Sequence, residues 1–222
     1  MASRRHWLIA AAVTAAVVFA ATWVGFAQNW AWLTAADSWL LRVFHDFGVE
    51  HPGWVSFWVV FCIVFGPTAF RLLALPLIVI ALVRRNWQTA LFLVLTLEVS
   101  DGIASVVKLV SNRPRPPSAL VYGISTSFPS GHAVAVMVGV LALLTVFLPA
   151  IPKRLYTPVI VAGALLVFLV GTARVVLNVH NPSDVVAGWA LGFLYYLLCV
   201  RLVPPRPIMT AAETPVALDS VP

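Results

Sequence analysis

The stretch PSGHAVAVMVGVLALLTVFLP, residues 129–149, decides the fold. It opens on a small polar tetrad and then runs to Pro149 without a single charge. A helix crossing a bilayer core needs about 20 such residues. Working outward, runs of the same kind cover roughly 7–27, 54–83, 87–109, 156–176 and 184–203, six spans in all. The expected fold is all-α: a polytopic membrane protein of six transmembrane helices. The second run is too long for one simple crossing and contains Gly66-Pro67, so a kink or break is expected there. Between the first two spans, Asn29–Gly53 mixes Trp30, Leu33, Leu40, Leu41 and Phe44 with Asp37, Arg42 and Asp46. That mixture predicts an amphipathic interfacial helix.

The composition agrees. Of 222 residues, 61% are hydrophobic and 10% charged, and mean hydropathy is +0.97. The formal net charge of +6 is spread over short patches between apolar runs, so nothing resembles the basic stripe of a nucleic-acid-binding domain. Cys62 and Cys199 both lie inside apolar runs, which argues against a disulfide framework or a zinc site. Arg4-Arg5 precede the apolar run Trp7–Ala27, whose end is weakly cleavage-like. That run is longer than a signal-peptide core, so a retained first span is expected. Residues 1–203 are expected to form one domain. The Pro- and Ala-rich tail 204–222 is expected to be disordered and cytoplasmic.

Basic residues give the orientation. Arg4-Arg5, Arg84-Arg85, Lys153-Arg154 and Arg201/Arg206 fall on one face of a six-span protein, and the positive-inside rule makes that face cytoplasmic. Lys108, Arg113 and Arg115 break the rule. They belong to the first of three polar clusters: KLVSNRPRP (108–116), Pro129-Ser130-Gly131-His132, and Arg174 with His180 and Asp184. Span parity alone puts all three clusters at the outer surface. Charge is costly in or near hydrocarbon, so its retention there points to function.

These side chains suit phosphoryl transfer, which relies on positioning and fixed positive charge. Lys108, Arg115 and Arg174 can bind phosphate. Ser130 and Gly131 start the fourth span, where free N–H groups suit an anion. Asn181-Pro182 reads as the cap and first turn of the sixth span, which places Asp184 within reach of His180. A carboxylate on one ring nitrogen leaves the other free to attack. His180 is therefore assigned as nucleophile, Asp184 as the residue that orients it, and His132 as general acid. No metal or other cofactor is expected, because the cations neutralise the phosphate.

With these motifs quoted, the chain resembles the type 2 phosphatidic acid phosphatase family, which includes the vanadium haloperoxidases. Lys108-LVSNRP-Arg115-Pro116 matches its first motif, Pro129-Ser130-Gly131-His132 its second, and Ala173-Arg174-VVLNV-His180-NPS-Asp184 its third. Ala173 is the one departure, where the family usually has Ser. The resemblance covers roughly residues 85–203. It implies metal-independent hydrolysis of a phosphate monoester or diphosphate through a phosphohistidine, on a lipid substrate. Undecaprenyl diphosphate is placed slightly first because an outward site suits recycling of that carrier; phosphatidylglycerophosphate and phosphatidic acid are the alternatives. A vanadium haloperoxidase is a rival, although those relatives are soluble and larger. A lipid transporter or flippase, which needs no nucleophile, is the rival from another class. The expected location is the plasma membrane, with both termini cytoplasmic and the site outside.

Plainer readings stand beside these. Lys108, Arg113 and Arg115 could be interfacial anchors. For Arg113 that reading is as good as a site role, because the family spacing selects Arg115. Ser130 could simply cap a helix, and His180 with Asp184 could be a loop pair. Arg71, deep in the second run, is expected to pair with Glu98 or Asp101, which share a helical face with Ser105 and Lys108. Gly188-x3-Gly192 reads as close packing inside the bundle in preference to a dimer motif.

Overall fold

A computed structural model describes residues 2–206, and the side chains of residues 5–206. Among these residues the helices are α1 (Ala2–Ala27), α2 (Ala31–Glu50), α3 (Pro52–Val64), α4 (Pro67–Val83), α5 (Trp87–Leu93), α6 (Ser100–Ser111), α7 (Gly131–Phe147), α8 (Tyr156–Val176) and α9 (Pro182–Leu202). Six helical stretches are long and apolar enough to cross a membrane. They are Arg5–Ala27, Pro52–Val83, Trp87–Ser111, Gly131–Ala150, Lys153–Val176 and Pro182–Leu202, the six read from the sequence. The expected disordered tail lies outside the described residues from 207 onward. Just before that point the Arg206 backbone is tied to Thr89: its N–H donates to Oγ1 at 2.9 Å and its carbonyl accepts from Oγ1 at 2.6 Å.

α7 is the central post. Val134, Val136, Val138, Ala142 and Val146 are buried around its circumference, as a helix apolar on all sides requires. It packs on α9 and α8 and also meets α4 and α6. Gly188 and Gly192 explain the closeness of α7 and α9. A Cβ at Gly188 would sit 2.7 Å from Ala133 Cβ and 2.8 Å from the Ser130 carbonyl; one at Gly192 would sit 2.8 Å from the Val134 carbonyl. The small-residue pair therefore serves packing inside the bundle.

The second span breaks where Gly66-Pro67 predicted. α3 ends at Val64, Gly66 takes an extended conformation as N-cap, and Pro67 starts α4. A side chain at Gly66 would collide with the Cys62 carbonyl. In the third span a π-turn, Val94–Glu98, separates α5 from α6. Its wide i→i+5 bond runs from the Val99 N–H to the Val94 carbonyl at 3.1 Å. The Leu95 carbonyl instead accepts from the Tyr195 hydroxyl at 2.8 Å. Of the two acids expected to meet Arg71, Asp101 is its partner, and Glu98 Oε1 at the end of the π-turn is buried without a hydrogen bond.

The predicted interfacial helix is α2. Leu33, Asp37, Leu41 and Gly48 form its buried side, whereas Trp32, Trp39, Val43 and Phe47 are exposed on the neighbouring strip. An acidic residue on the buried side was not expected, and its partners are described below.

Candidate active site

The three polar clusters converge. Lys108 from α6, Arg115 from the loop after it, Gly131 and His132 from the start of α7, Arg174 from α8 and His180 from the turn after α8 line one cavity of about 640 Å3. Val59, Ile63, Pro67, Ala104 and Val121 provide apolar wall to the same cavity, and Arg71 and Asp101 also line it. The lining thus combines cations with apolar side chains, a combination that suits an amphiphile with an anionic head.

Short local rules present His180. α8 ends because Asn178 adopts φ 54°, a left-handed conformation that Asn tolerates well. The chain then doubles back, and the N–H groups of Val179 and His180 donate to the Arg174 carbonyl at 3.2 and 3.3 Å. Asn178 is fully buried, and its Oδ1 accepts from Ser118 Oγ at 2.9 Å. Asn181 then caps α9 in a reciprocal capping box with Asp184, and Pro182 occupies the first turn. The predicted cap is therefore present, and it fixes Asp184 one helical turn from His180.

Asp184 has more partners than expected. Its Oδ2 accepts from the Asn181 N–H at 2.8 Å and from Asn181 Nδ2 at 3.2 Å, and Oδ1 accepts from Arg113 Nη1 at 2.6 Å. His180 Nδ1 lies 3.7 Å from Oδ2, an ion-pair separation and too long for a hydrogen bond. Nδ1 is buried without a hydrogen-bond partner. The carboxylate faces the ring as expected, but it is not bonded to it, because Arg113 and Asn181 hold it. The other ring nitrogen, Nε2, faces Arg115 Nη1 at 3.4 Å. Burial pushes the His180 imidazole down to about 4, Asp184 opposes that shift, and Arg174 and Arg115 add to it. The ring is therefore neutral at physiological pH, as a nucleophile requires.

The cations are held in place without being used up. Arg115 Nε donates to the Ser125 carbonyl at 2.6 Å and Nη1 to the Val179 carbonyl at 2.7 Å. Burial lowers its basicity, Arg174 lowers it further, and Asp184 pushes the other way. Lys108 Nζ bonds the Thr126 carbonyl and, at 3.4 Å, Ser125 Oγ. Arg174 Nε is buried with no hydrogen-bond partner, and so is Ser130 Oγ. The backbone of Ser130 joins the starts of α7 and α9, since its N–H donates to the Asp184 carbonyl at 2.9 Å. Gly131 faces open space, since a Cβ there would find only Lys108 Cε within 4.0 Å. The glycine leaves room at the helix start beside the cations.

Sequence reasoning underrated Arg113 and missed Asp37 and Ser183. Arg113 is not an interfacial anchor. It bridges Asp184 to Asp37 Oδ2 at 2.9 Å, donates to Ser183 Oγ at 2.7 Å and lies over the Phe26 ring at 5.0 Å. The one signal in the sequence was Asp37 itself, an acid placed between Leu33 and Leu41 at intervals of one helical turn. Ala173, where a Ser was expected, is fully buried against Trp58, Cys62 and Val176.

Comparison with known proteins agrees with this arrangement. The family model PAP2 superfamily matches residues 89–208. Phosphatidylglycerophosphatase B of Bacillus subtilis is 34% identical over 155 residues, covering 68% of this chain and 70% of its own length. Undecaprenyl-diphosphatase of Sulfolobus acidocaldarius is 32% identical over 132 residues, 56% of this chain and 60% of its own. A crystal structure described as the first transmembrane PAP2 type phosphatidylglycerolphosphate phosphatase from Bacillus subtilis superposes with a TM-score of 0.69 at 25% identity. That superposition covers 86% of this chain and 94% of the other.

Proposed function

The chain belongs to the PAP2 superfamily, and on that premise we propose that it is an integral-membrane lipid phosphatase working through a phosphohistidine. The observation that supports this most directly is the gathering of Lys108, Arg115, Arg174, His132 and His180 on one cavity with an apolar wall.

In the proposed reaction the terminal phosphate of a lipid binds among Lys108, Arg115 and Arg174, with the Ser130 hydroxyl and the Gly131 N–H at the start of α7 as further donors. His180 Nε2 attacks phosphorus. The bond from phosphorus to the lipid oxygen breaks, and His132 donates a proton to that oxygen. Asp184 stabilises the ring as it becomes cationic; closing the 3.7 Å gap to Nδ1 by less than an ångström makes a hydrogen bond. Water then attacks the P–N bond while His132 takes its proton, releasing inorganic phosphate and restoring neutral His180. The positive charge that a metal would supply comes from the three cationic side chains.

The substrate proposed first is undecaprenyl diphosphate, with the site on the outer face of the plasma membrane and both termini in the cytoplasm. A second reading, phosphatidylglycerophosphate, is favoured by one observation: the relative at 34% identity and the structural neighbour both carry that activity in their names. Phosphate release from purified protein in chelator, on both lipids and on phosphatidic acid, tests the proposal. The expected result is hydrolysis without added metal, labelled phosphoenzyme on rapid quench, and loss of both in His180→Ala. Hydrolysis retained by that variant, or strict dependence on divalent metal, overturns the mechanism. Lipid movement without phosphate release would favour a flippase.

A further inference from the structure

Behind the cavity lies a closed set of charges of which the reaction above uses only Asp184. Asp37 on α2 and Asp184 on α9 share one guanidinium, that of Arg113, at 2.9 and 2.6 Å. Their side chains are 5% and 0% exposed and that of Arg113 is 13%. Ser183 completes the set: its N–H donates to Asp37 Oδ1 at 2.9 Å and its hydroxyl to Oδ2 at 2.6 Å. A separate contact, His45 Nδ1 to the Ser118 carbonyl at 3.0 Å, fastens α2 to the loop that carries Arg115.

Charges buried this deeply are expensive unless paired, and removing one partner exposes the others to the full penalty. A simple helix clamp could be built from apolar side chains. What this trio has, and an apolar clamp lacks, is a net charge. Two carboxylates against one guanidinium leave it one unit negative, and its most buried member, Asp184, is the carboxylate facing His180. Arg113 alone would neutralise Asp184. Asp37 neutralises Arg113 in turn and so returns the negative charge to the His180 side.

We propose that Asp37 and Arg113 are positioning residues that set how much negative charge Asp184 presents to His180. The inference rests on His180 being the nucleophile. It connects α2, which carries none of the three sequence motifs, to the His180 ring through the hydrogen bonds of Arg113 and the 3.7 Å ion-pair separation between Asp184 and Nδ1. Its consequence is chemical: the cationic ring of the phosphohistidine is stabilised in proportion to the negative charge left on the trio.

The other charged or titratable groups facing His180 are Arg115 from the loop, Arg174 from α8, His132 from α7 and Lys108 from α6. Arg113 faces in addition the Phe26 ring of α1. None of these changes in the variants below, so any movement of the pH profile reports the trio.

The test is the acid limb of kcat/KM, which reports the free enzyme, measured with rapid-quench phosphoenzyme on wild type and three variants. Asp37→Asn keeps the shape and removes the charge. It should move the limb down by about one pH unit and lower kcat about tenfold, with KM nearly constant. Arg113→Gln should move the limb up, since two unneutralised carboxylates then present more negative charge to the His180 ring. The double variant, which restores one net negative charge, should return the limb to the wild-type position. If either single variant fails to fold, the direction of shift in the other decides. Limbs that stay fixed while kcat falls would mean a purely structural clamp and would overturn the inference. A wild-type enzyme that turns over without phosphoenzyme would overturn the nucleophile assignment instead.

Discussion

The cavity wall and the layer directly behind it are both built from ionic side chains, yet they treat hydrogen bonds in opposite ways. Behind the wall every polar atom of Asp37 and Asp184 that the structure defines is engaged, by Arg113, Ser183 and Asn181. On the wall, Arg174 Nε is buried without a partner, and so is Ser130 Oγ at the start of α7. Orphaned buried polar groups cost about 1–3 kcal/mol each, so a protein retains them where something else is gained. The contrast separates a scaffold that is finished from a surface that an anion completes.

The largest effect should come from removing the proposed nucleophile. His180→Ala is expected to lower phosphate release by at least about a thousandfold, with the fold intact by circular dichroism. Next is Arg174→Ala, which deletes an unpartnered donor of the wall. A loss of about a hundredfold or more in kcat is expected, and Arg174→Lys should recover only part because the planar fork is lost. His132→Ala should slow phosphoenzyme formation about a hundredfold on a lipid but far less on an aryl phosphate whose leaving group needs no proton; equal slowing of that step on both would remove His132 from the general-acid role. A smaller effect is expected from the pair farther along the cavity. Arg71 and Asp101 are 37% and 39% exposed, so a double-mutant cycle should give a coupling of about 1 kcal/mol or less. Strict additivity would remove the pair altogether.

Acid should separate the two layers as well. His180 is held down at about 4, below the ordinary histidine range, chiefly by burial. The neutral ring is the folded state's form above that value, so activity should vanish as pH falls through about 4. The unfolded chain takes up this proton at its ordinary value, near 6.5. Folded stability contributed by the neutral ring is therefore present above about 6.5 and declines from there down to about 4. Melting temperatures that hold steady or climb as the medium is acidified across that interval would contradict the buried, neutral assignment. Orientation can be read independently. Ile124→Cys, on an exposed loop position, should react from outside intact cells with an impermeant thiol reagent, while Cys62 and Cys199 stay buried.

Apolar length and parity made the six spans and the common face of the clusters legible. The break at Gly66-Pro67 was legible too, because it is local chemistry. The same holds for the Asn181 cap, whose partner lies three residues away. Tertiary closure was not legible. The choice between Glu98 and Asp101 as partner of Arg71 was not legible, because both lie on the third span and the π-turn that ends at Glu98 has no composition signature. Arg113 read as an anchor because its two carboxylate partners lie 76 and 71 residues away in sequence. Periodicity places residues on faces of one helix. It does not say which faces of two helices meet.

One backbone contact bears on how the enzyme fails. The Ser130 N–H donates to the Asp184 carbonyl, and just beyond it Gly188 and Gly192 seat α9 against α7 at backbone distance. The start of the second motif and Asp184 of the third are therefore opposite sides of a single helix crossing. Heating cannot loosen one motif and spare the other, so inactivation and the loss of that crossing should trace one curve, with no warm, folded, inactive species between them.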